Sequence, residues 1–298
     1  MFERRVARRV PMPMSPGDGA QPLGFRRPVM GPQPRRAGRG RLFVGLMMAA
    51  FALVSYCGSK EYNPVTGESQ HISITPRQEI ALGLQSTPQM ISEYGGLYPD
   101  PQLQDFVDRV GNRLVARSAA RDTEWQFEFH LLADMNTINA FALPGGQVFI
   151  TGALFDALQS EGQLAGVLGH EIGHVVARHS AQRIAQSELT QGLTGAVAVA
   201  SGSEGTARTA AMIAQLVGMK YGREDELQSD QLGVRFMSEA GYDPRSLIGV
   251  MQILAASRPA NAPSEFFSTH PNPENRIERI QRAIAEQFPN GVPGGLEP

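Results

Sequence analysis

Two histidines and a glutamate lie close together in the stretch His170-Glu171-Ile172-Gly173-His174. On a helix, side chains four residues apart share a face, so His170 and His174 can direct two imidazole nitrogens to one metal ion. Such nitrogens bind zinc at about 2.0–2.1 Å. Glu171 projects beside the pair, where its carboxylate could take a proton from an attacking water. The spacing therefore predicts a metal-assisted hydrolase, with His170 and His174 as ligands and Glu171 as general base.

The helix that carries this motif is expected to be buried, because its other positions are mostly apolar (Leu164, Val167, Leu168, Val175 and Val176). A dry site strengthens electrostatic interactions. The alternative is a surface helix with two exposed histidines and a solvated Glu171. His179 lies five positions after His174, off the metal-facing side of a helix. We expect His179 at a helix end or on the surface rather than among the ligands.

A third ligand is needed, because a catalytic zinc usually has three protein ligands and one open position. In a helix, Glu226 and Asp230 of the segment Glu226-Leu227-Gln228-Ser229-Asp230 lie one turn apart on one face. We expect Glu226 to bind the metal. Asp230 is expected to accept a hydrogen bond from a ligand histidine and so to fix its tautomer. The alternative is an ordinary solvated, acidic helix start.

Charge divides the chain into a basic leader and an acidic body. Residues 1–56 hold ten Arg and two acidic residues, a balance of +8, whereas the remainder has 17 basic and 27 acidic residues, a balance of −10. An acidic body argues against nucleic acid as a partner, because phosphate binding needs clustered Lys and Arg. The 42% hydrophobic content suits a packed core and excludes a disordered or polytopic membrane protein.

The leader reads as an export signal. Four arginines precede the apolar run 42–54, which is short for a membrane span of roughly 20 residues. Cys57 follows and is the only cysteine. This stretch resembles a bacterial lipoprotein signal, in which the cysteine becomes lipidated, although Tyr56 departs from the small residue usual before it. The alternatives are an uncleaved signal helix and soluble export. A start at Met30 rather than Met1 would give a leader of ordinary length.

The body alternates helical and strand patterns, which predicts an α+β, mainly helical fold. Thr75-Pro76-Arg77-Gln78 is a capping box that begins a helix to about Tyr94, and Asp100-Pro101 begins another. Residues 125–131 alternate as a strand, and 139–151 reads as strand, Pro-Gly-Gly turn and strand. Further helices are expected near 161–186, 223–240, 244–256 and 273–287.

We expect four regions in the chain: a leader with signal peptide over 1–56, a linker over 57–74, the main domain over 75–288 and a flexible tail over 289–298. The stretch 189–219 is rich in Ala, Gly, Val and Met. It predicts a helical hairpin packed beside the motif helix, or alternatively a mobile lid or membrane-touching flap.

Four ordered motifs resemble the gluzincin metallopeptidases, and within them the CAAX-prenyl-protease/HtpX-type family, especially its exported bacterial lipoproteins. The motifs are His170–His174, the Glu226/Asp230 pair, Asn139-Ala140-Phe141 with Pro144-Gly145-Gly146, and Ser268-Thr269-His270-Pro271 with Arg276-Ile277. The resemblance covers about residues 60–287. It implies a zincin-like domain with one Zn²⁺ per chain and a small β-sheet whose edge strand borders the active-site cleft.

The resemblance also implies roles for individual residues. His170, His174 and Glu226 match the zinc ligands, Glu171 the general base, and Asp230 the residue that orients a ligand histidine. An edge strand that includes Asn139, Ala140, Phe141 and Ala142 would bind an extended peptide, or it would merely close the sheet. His270 would steady the oxyanion, occupy the fourth zinc position in a resting state, or only stack on Pro271. Arg276 is expected to tie this loop to the core.

These features predict a zinc metalloendopeptidase of the bacterial cell envelope that acts on misfolded or misassembled envelope proteins. It would face the periplasm and be anchored to a membrane by a lipid on Cys57. Gly58 after the cysteine favours the outer membrane over the inner one. The alternative is a chaperone-like binding module with a mostly closed zinc site. The natural substrate, the cleavage preference and the oligomeric state do not follow from the sequence.

Overall fold

A computed structural model describes residues 39–201, 221–257, 265–271 and 275–298. The helices are α1 (Arg39–Gly58), α2 (Pro76–Glu93), α3 (Pro101–Arg117), α4 (Gly152–Ala157), α5 (Glu161–Val176), α6 (His179–Ser201), α7 (Arg223–Ala240), α8 (Ser246–Ala256), α9 (Glu265–Thr269) and α10 (Arg276–Gln287). The strands are β1 (Lys60–Asn63), β2 (Glu68–His71), β3 (Glu128–Leu132), β4 (Ala140–Ala142) and β5 (Gln147–Thr151). This is a mainly helical α+β fold, which confirms the predicted class.

Local signals place the first helices of the main domain where they were expected. The Thr75 side chain accepts a hydrogen bond from the Gln78 backbone amide, and the Gln78 side-chain oxygen accepts one from the Thr75 backbone amide. This capping box satisfies backbone donors at the start of α2. The Asp100 side chain caps α3 in the same manner, by accepting from the Gln102 amide.

The strand, turn and strand predicted over 139–151 form two members of a three-stranded sheet with the order β3-β5-β4. β5 is the central strand and pairs parallel with β3 and antiparallel with β4. Gly145 makes the turn at a φ of 84°, and a side chain there would run into the Ile80 backbone. β4 is therefore an edge of this sheet, with one side left for contacts outside it.

Helix α5, which carries His170-Glu171-Ile172-Gly173-His174, lies at the centre of the core. Fourteen of its 16 residues are buried, including both histidines and Glu171, which rules out the surface-helix alternative. Helix α7 packs closely along it because small residues face one another. A side chain at Gly173 would lie 2.9 Å from Ser229 Oγ, and one at Gly233 would lie 3.2 Å from His170 N.

The prediction of one helix over 161–186 is wrong in one respect, because the structure has two helices here with a break at Arg178. Helix α5 ends at Val176, Arg178 adopts the left-handed conformation with φ 56°, and α6 begins at His179. The Arg178 guanidinium holds this bend by donating hydrogen bonds to the buried Glu79 carboxylate and to the Ile74 carbonyl. The Glu79 carboxylate, which is distant in sequence, thus stabilises a break in a stretch whose local pattern predicts one continuous helix.

The linker predicted over 57–74 is also wrong for most of its length, because β1 and β2 form an antiparallel hairpin. Asn63 Nδ2 donates to the Val176 carbonyl at 2.8 Å, and Gln70 Nε2 donates to the Ala177 carbonyl at 2.8 Å. The last carbonyls of a helix lack partners within it. The hairpin supplies those partners to the end of α5 and so becomes part of the domain.

The tail predicted to be flexible over 289–298 instead pairs with the body near its end. Asp243 N donates to the Glu297 carbonyl at 2.7 Å, and Gly162 N donates to the Pro298 carbonyl at 2.8 Å. The second bond satisfies a free amide in the first turn of α5. Backbone groups of the body therefore bind the last two residues of this segment.

Helix α1 extends beyond the apolar run 42–54 and covers Arg39–Gly58. Within the described ranges, it alone is long and apolar enough to cross a membrane, over Gly40–Gly58. Signal sequences satisfy the same criterion. Helix α1 packs on α6, where a side chain at Gly45 would lie 2.8 Å from the Ala196 carbonyl. Of the hairpin predicted over 189–219, only the part up to Ser201 belongs to the described residues.

Candidate metal centre

The expected ligands converge, although they belong to two helices far apart in sequence. His170 Nε2 and His174 Nε2 lie 3.0 Å apart. The Glu226 carboxylate lies beside them, with Oε2 3.5 Å from His170 Nε2 and Oε1 3.4 Å from His174 Nε2. With His270, these groups offer four donor atoms within 4.8 Å of one another. All four side chains are buried.

These residues fit a zinc ion. Nitrogen and oxygen donors in a compact cluster suit its usual coordination. Among the residues that the structure describes, three buried polar atoms here have no hydrogen-bond partner: His270 Nε2 and both carboxylate oxygens of Glu171. An unsatisfied buried polar atom costs roughly 1–3 kcal/mol, and more when charged. A divalent cation among these donors would remove much of that cost.

Asp230 and Arg276 hold His170 in place. Asp230 Oδ1 lies 2.8 Å from His170 Nδ1. Arg276 donates two hydrogen bonds to the same carboxylate, at 2.7 and 2.9 Å. Burial alone would raise the pKa of Asp230, but Arg276 and His170 outweigh it and hold that pKa below its ordinary value. An ionised Asp230 accepts a hydrogen bond from the Nδ1–H group of His170, which would leave Nε2 of that ring free for a metal ion.

The two glutamates of the site have opposite environments. Burial raises the pKa of Glu171, whose oxygens accept no hydrogen bond. Burial would also raise the pKa of Glu226, but His270, His170 and His174 hold it well below the usual range. The arrangement fits a charged ligand at Glu226 and a proton-accepting group at Glu171.

His270 approaches the site from the loop that follows α9. Its Nδ1 lies 3.0 Å from Glu226 Oε1, and its Nε2 lies 3.7 Å from Glu171 Oε1. Its ring stacks on Phe266 with centroids 4.5 Å apart. The loop therefore places this histidine beside the other three donors, where it could supply a fourth ligand.

The model of Peptidase family M48 matches residues 101–284, a segment that contains all four converging donors and most of the fold around them. This chain belongs to peptidase family M48. The resemblance to HtpX-type gluzincins is thereby confirmed.

The M48 chain has curated relatives in bacteria and mitochondria. It is 30% identical to the beta-barrel assembly-enhancing protease of Yersinia pestis over 260 residues, which cover 84% of this chain and 52% of the relative. It is also 30% identical to the protein of that name from Escherichia coli strain K12, over 83% of this chain and 51% of the relative. It is 31% identical to the mitochondrial metalloendopeptidase OMA1 of Schizosaccharomyces pombe, over 78% of this chain and 69% of the relative. The chain spans about half the length of these bacterial relatives.

In the M48 domain, strand β4 lies next to the candidate metal centre. A cavity of about 60 Å³ lies between them and is lined by residues that include Phe141, Ala142, Tyr221 and His270. Asn139, Ala140 and Ala142 are buried, and Phe141 is half-buried and stacks on Phe149. The strand proposed for substrate thus borders the site but is covered.

Tyr221 is a residue of this M48 site that sequence reasoning missed. Its ring stacks on His174, with centroids 3.8 Å apart, and its hydroxyl donates to the Ala142 carbonyl at 3.4 Å. Its backbone amide donates to the Thr269 carbonyl at 3.1 Å, next to His270. A single tyrosine before Gly222 carries no motif, so no signal in the chain pointed to it.

His179 begins α6, as expected for a helix-terminal residue, and is not among the converging donors of the M48 site. However, it is buried rather than on the surface, and its Nδ1 lies 2.8 Å from Nδ1 of His174. The break at Arg178 turns the start of α6 back toward α5. The contact between His179 and His174 depends on this break, which the prediction of one helix over 161–186 did not contain.

Proposed function

We propose that this chain is a zinc-dependent metalloendopeptidase of the bacterial cell envelope, with one Zn²⁺ per chain held by His170, His174 and Glu226. One observation carries the proposal: the donors of these three residues meet in a buried cluster, and beside them lies the Glu171 carboxylate, which forms no hydrogen bond with any residue that the structure describes. A structural zinc site would have no need of that carboxylate.

The residues around the cluster would carry out peptide-bond hydrolysis. When bound, zinc polarises a scissile carbonyl and lowers the pKa of water toward about 7. Glu171 takes a proton from the attacking water and later gives it to the leaving amine. Its raised pKa brings the carboxyl closer to the value at which it can do both. Asp230 keeps His170 in the required tautomer throughout.

The substrate would bind as an extended peptide along β4, the edge of the three-stranded sheet. Backbone hydrogen bonds to an edge strand accept many sequences, which suits an enzyme that acts on unfolded segments. The names of the bacterial relatives refer to β-barrel assembly. We therefore propose misfolded or misassembled envelope proteins as substrates.

The location follows from the leader. We propose export, lipidation of Cys57 and anchoring on the periplasmic side of a membrane, the outer one rather than the inner. Cys57 is exposed near the end of α1, and the β1–β2 hairpin begins three residues later. A lipid at this cysteine would place the domain close to the bilayer without a long connection.

A chaperone-like binding module is the second candidate, and it is favoured by the closed state of the site. His270 and Tyr221 cover the donor cluster and β4, and the cavity between them is too small for a peptide. A binder of unfolded segments would use β4 without any proton transfer by Glu171. The two candidates therefore differ in whether Glu171 is required.

Degradation of casein by the purified protein, with and without a zinc chelator, tests the proposal. We expect chelator-sensitive cleavage by the wild type. Glu171→Gln should keep its zinc and lose about 10²–10⁴-fold in rate. Glu224→Gln, an exposed neighbour of the site on α7, is the matched control and should cleave normally. Casein binding without cleavage by zinc-loaded wild type would support the chaperone-like candidate instead.

A further inference from the structure

We propose that His179 is a positioning residue for the expected ligand His174: it accepts a hydrogen bond from the Nδ1–H group of His174 and holds that ring in the tautomer that leaves Nε2 free for zinc. This inference rests on the proposed zinc site and extends it to a residue outside the ligand set. Its basis is a chain of three hydrogen-bond contacts that runs from the site to the surface.

The chain begins at the ligand and passes through the buried His179. His174 Nδ1 lies 2.8 Å from His179 Nδ1, and His179 Nε2 lies 2.9 Å from Gln228 Oε1. Gln228 Nε2 then donates to Glu68 Oε2 at 2.8 Å. His179 is 2% exposed. Among the described residues, its two ring nitrogens thus have one close partner each.

Only one proton arrangement lets every member of this chain be satisfied while His174 binds a metal. Nε2 of His174 must be unprotonated to act as a ligand, so its Nδ1 carries the proton and donates. His179 Nδ1 must then accept, which puts the proton of that ring on Nε2. This Nε2–H donates to the amide oxygen of Gln228, whose NH₂ faces Glu68. The direction of donation therefore runs outward from the ligand.

The two ligand histidines are consequently supported in different ways. His170 faces the carboxylate of Asp230, which Arg276 holds by two hydrogen bonds. His174 faces a neutral imidazole. A hydrogen bond to a charged acceptor is roughly twice as strong as one between neutral groups. The hydrogen bond that supports His174 is thus weaker than the one that supports His170. The orientation of the His174 ring therefore depends more on the position of His179.

The position of His179 depends in turn on elements outside the ligand helices. The break at Arg178 places His179 at the first position of α6, beside α5. Gln228 belongs to α7, and Glu68 belongs to β2 of the hairpin. The β1–β2 hairpin is therefore connected to the proposed metal site by this series of hydrogen bonds, in addition to its bonds to the end of α5.

Zinc release tests the inference without relying on activity. We compare wild type, His179→Leu and His179→Asn, each loaded with zinc and mixed with a chromophoric chelator. Leucine fills similar space but accepts no hydrogen bond, whereas the Asn Oδ1 can stand near the position of Nδ1 and accept one. Loss of a group that orients a ligand typically costs 10–100-fold in metal affinity, so we expect release from His179→Leu to be about 10–100-fold faster. Release from His179→Asn should stay close to the wild-type rate.

Two further measurements separate positioning from packing. His130, whose Nε2 lies 2.8 Å from Gln147 Oε1 on the sheet, provides the control variant His130→Leu, which should release zinc normally. The visible spectrum of Co²⁺-substituted protein should change in His179→Leu and not in His179→Asn. If His179→Asn releases zinc as fast as His179→Leu, the hydrogen bond is not what matters and the inference is overturned.

The outcomes also distinguish this inference from the proposed function. A wild-type protein that takes up no zinc would overturn both. Equal release rates from zinc-loaded wild type and His179→Leu would overturn the positioning role alone and leave the peptidase proposal intact.

Discussion

His270 lies against Glu226, with its Nδ1 3.0 Å from the Oε1 atom of that carboxylate. The contact joins a loop histidine to an expected zinc ligand and brings its other ring nitrogen toward Glu171. Of the roles that the family resemblance implies for His270, this geometry favours a fourth donor in a resting state. Access of a peptide would then require the loop to move.

We therefore predict that His270→Ala cleaves casein several-fold faster than the wild type while keeping its zinc. Removal of a resting donor raises the fraction of molecules that can bind substrate, and the apparent affinity rises with that fraction. Cleavage rates at equal zinc content are the measurement, with His130→Ala as a histidine control away from the site. Slower cleavage at full zinc content would instead indicate that His270 steadies the oxyanion.

Replacement of Glu226 tests the ligand set. Glu226→Gln should lose zinc on dialysis, because a neutral amide replaces the one charged donor among the three expected ligands. Metal analysis of the dialysed protein measures this directly. Glu224→Gln, two residues earlier and exposed, should keep one zinc per chain. Full zinc content in Glu226→Gln would contradict its assignment as a ligand.

Arg276 should be a strong determinant of stability. Its guanidinium is buried and contacts Asp230, and its Nη1 lies 3.2 Å from Glu226 Oε2. Removal of one partner from a buried ion pair typically costs about 3–5 kcal/mol, because the remaining charge is left unpaired. We expect a loss of that size in the free energy of unfolding of metal-free Arg276→Leu, measured with urea.

Arg279→Leu is the control for this experiment, because Arg279 is exposed on the same helix and surface changes usually stay within about 0.5 kcal/mol. Equal unfolding free energies for Arg276→Leu and Arg279→Leu would refute the role of the buried pair.

The same contacts predict that the free energy of unfolding depends on pH in the acid range. The pKa of Asp230 is lowered in the folded protein. Ionised Asp230 therefore stabilises the fold at pH values above its unfolded-state pKa, and this stabilisation disappears as the pH falls through its folded-state pKa. The difference in unfolding free energy between wild type and Arg276→Leu should therefore shrink below about pH 4. A difference that stays constant from neutral to acid pH would contradict this linkage.

Cys57→Ser tests the proposed lipid anchor. Cells grown with a labelled fatty acid should incorporate it into the wild type and not into the variant. Fractionation alone is not decisive, because α1 is apolar enough to cross a membrane and could hold an uncleaved precursor there. Ser59→Ala, two residues later, should be labelled like the wild type. An unlabelled wild type would exclude lipidation at Cys57.

The sequence by itself determined the features that depend on neighbours along the chain. His170, Glu171 and His174 follow from helical spacing, and the starts of α2 and α3 follow from the caps at Thr75 and Asp100. The pairing of β4 with β5 follows from a Pro-Gly-Gly turn between two short apolar runs. Each signal acts over a few residues, where local geometry outweighs the rest of the fold.

Tertiary structure alone decided how distant elements meet. The close approach of α7 to α5 brings Glu226 to the two histidines, and it depends on small residues that face each other across the two helices. The bend at Arg178 depends on a buried carboxylate from α2, and it delivers His179 to His174. Such contacts are set by packing and by the need to satisfy buried polar groups, and neither has a fixed spacing that a sequence displays.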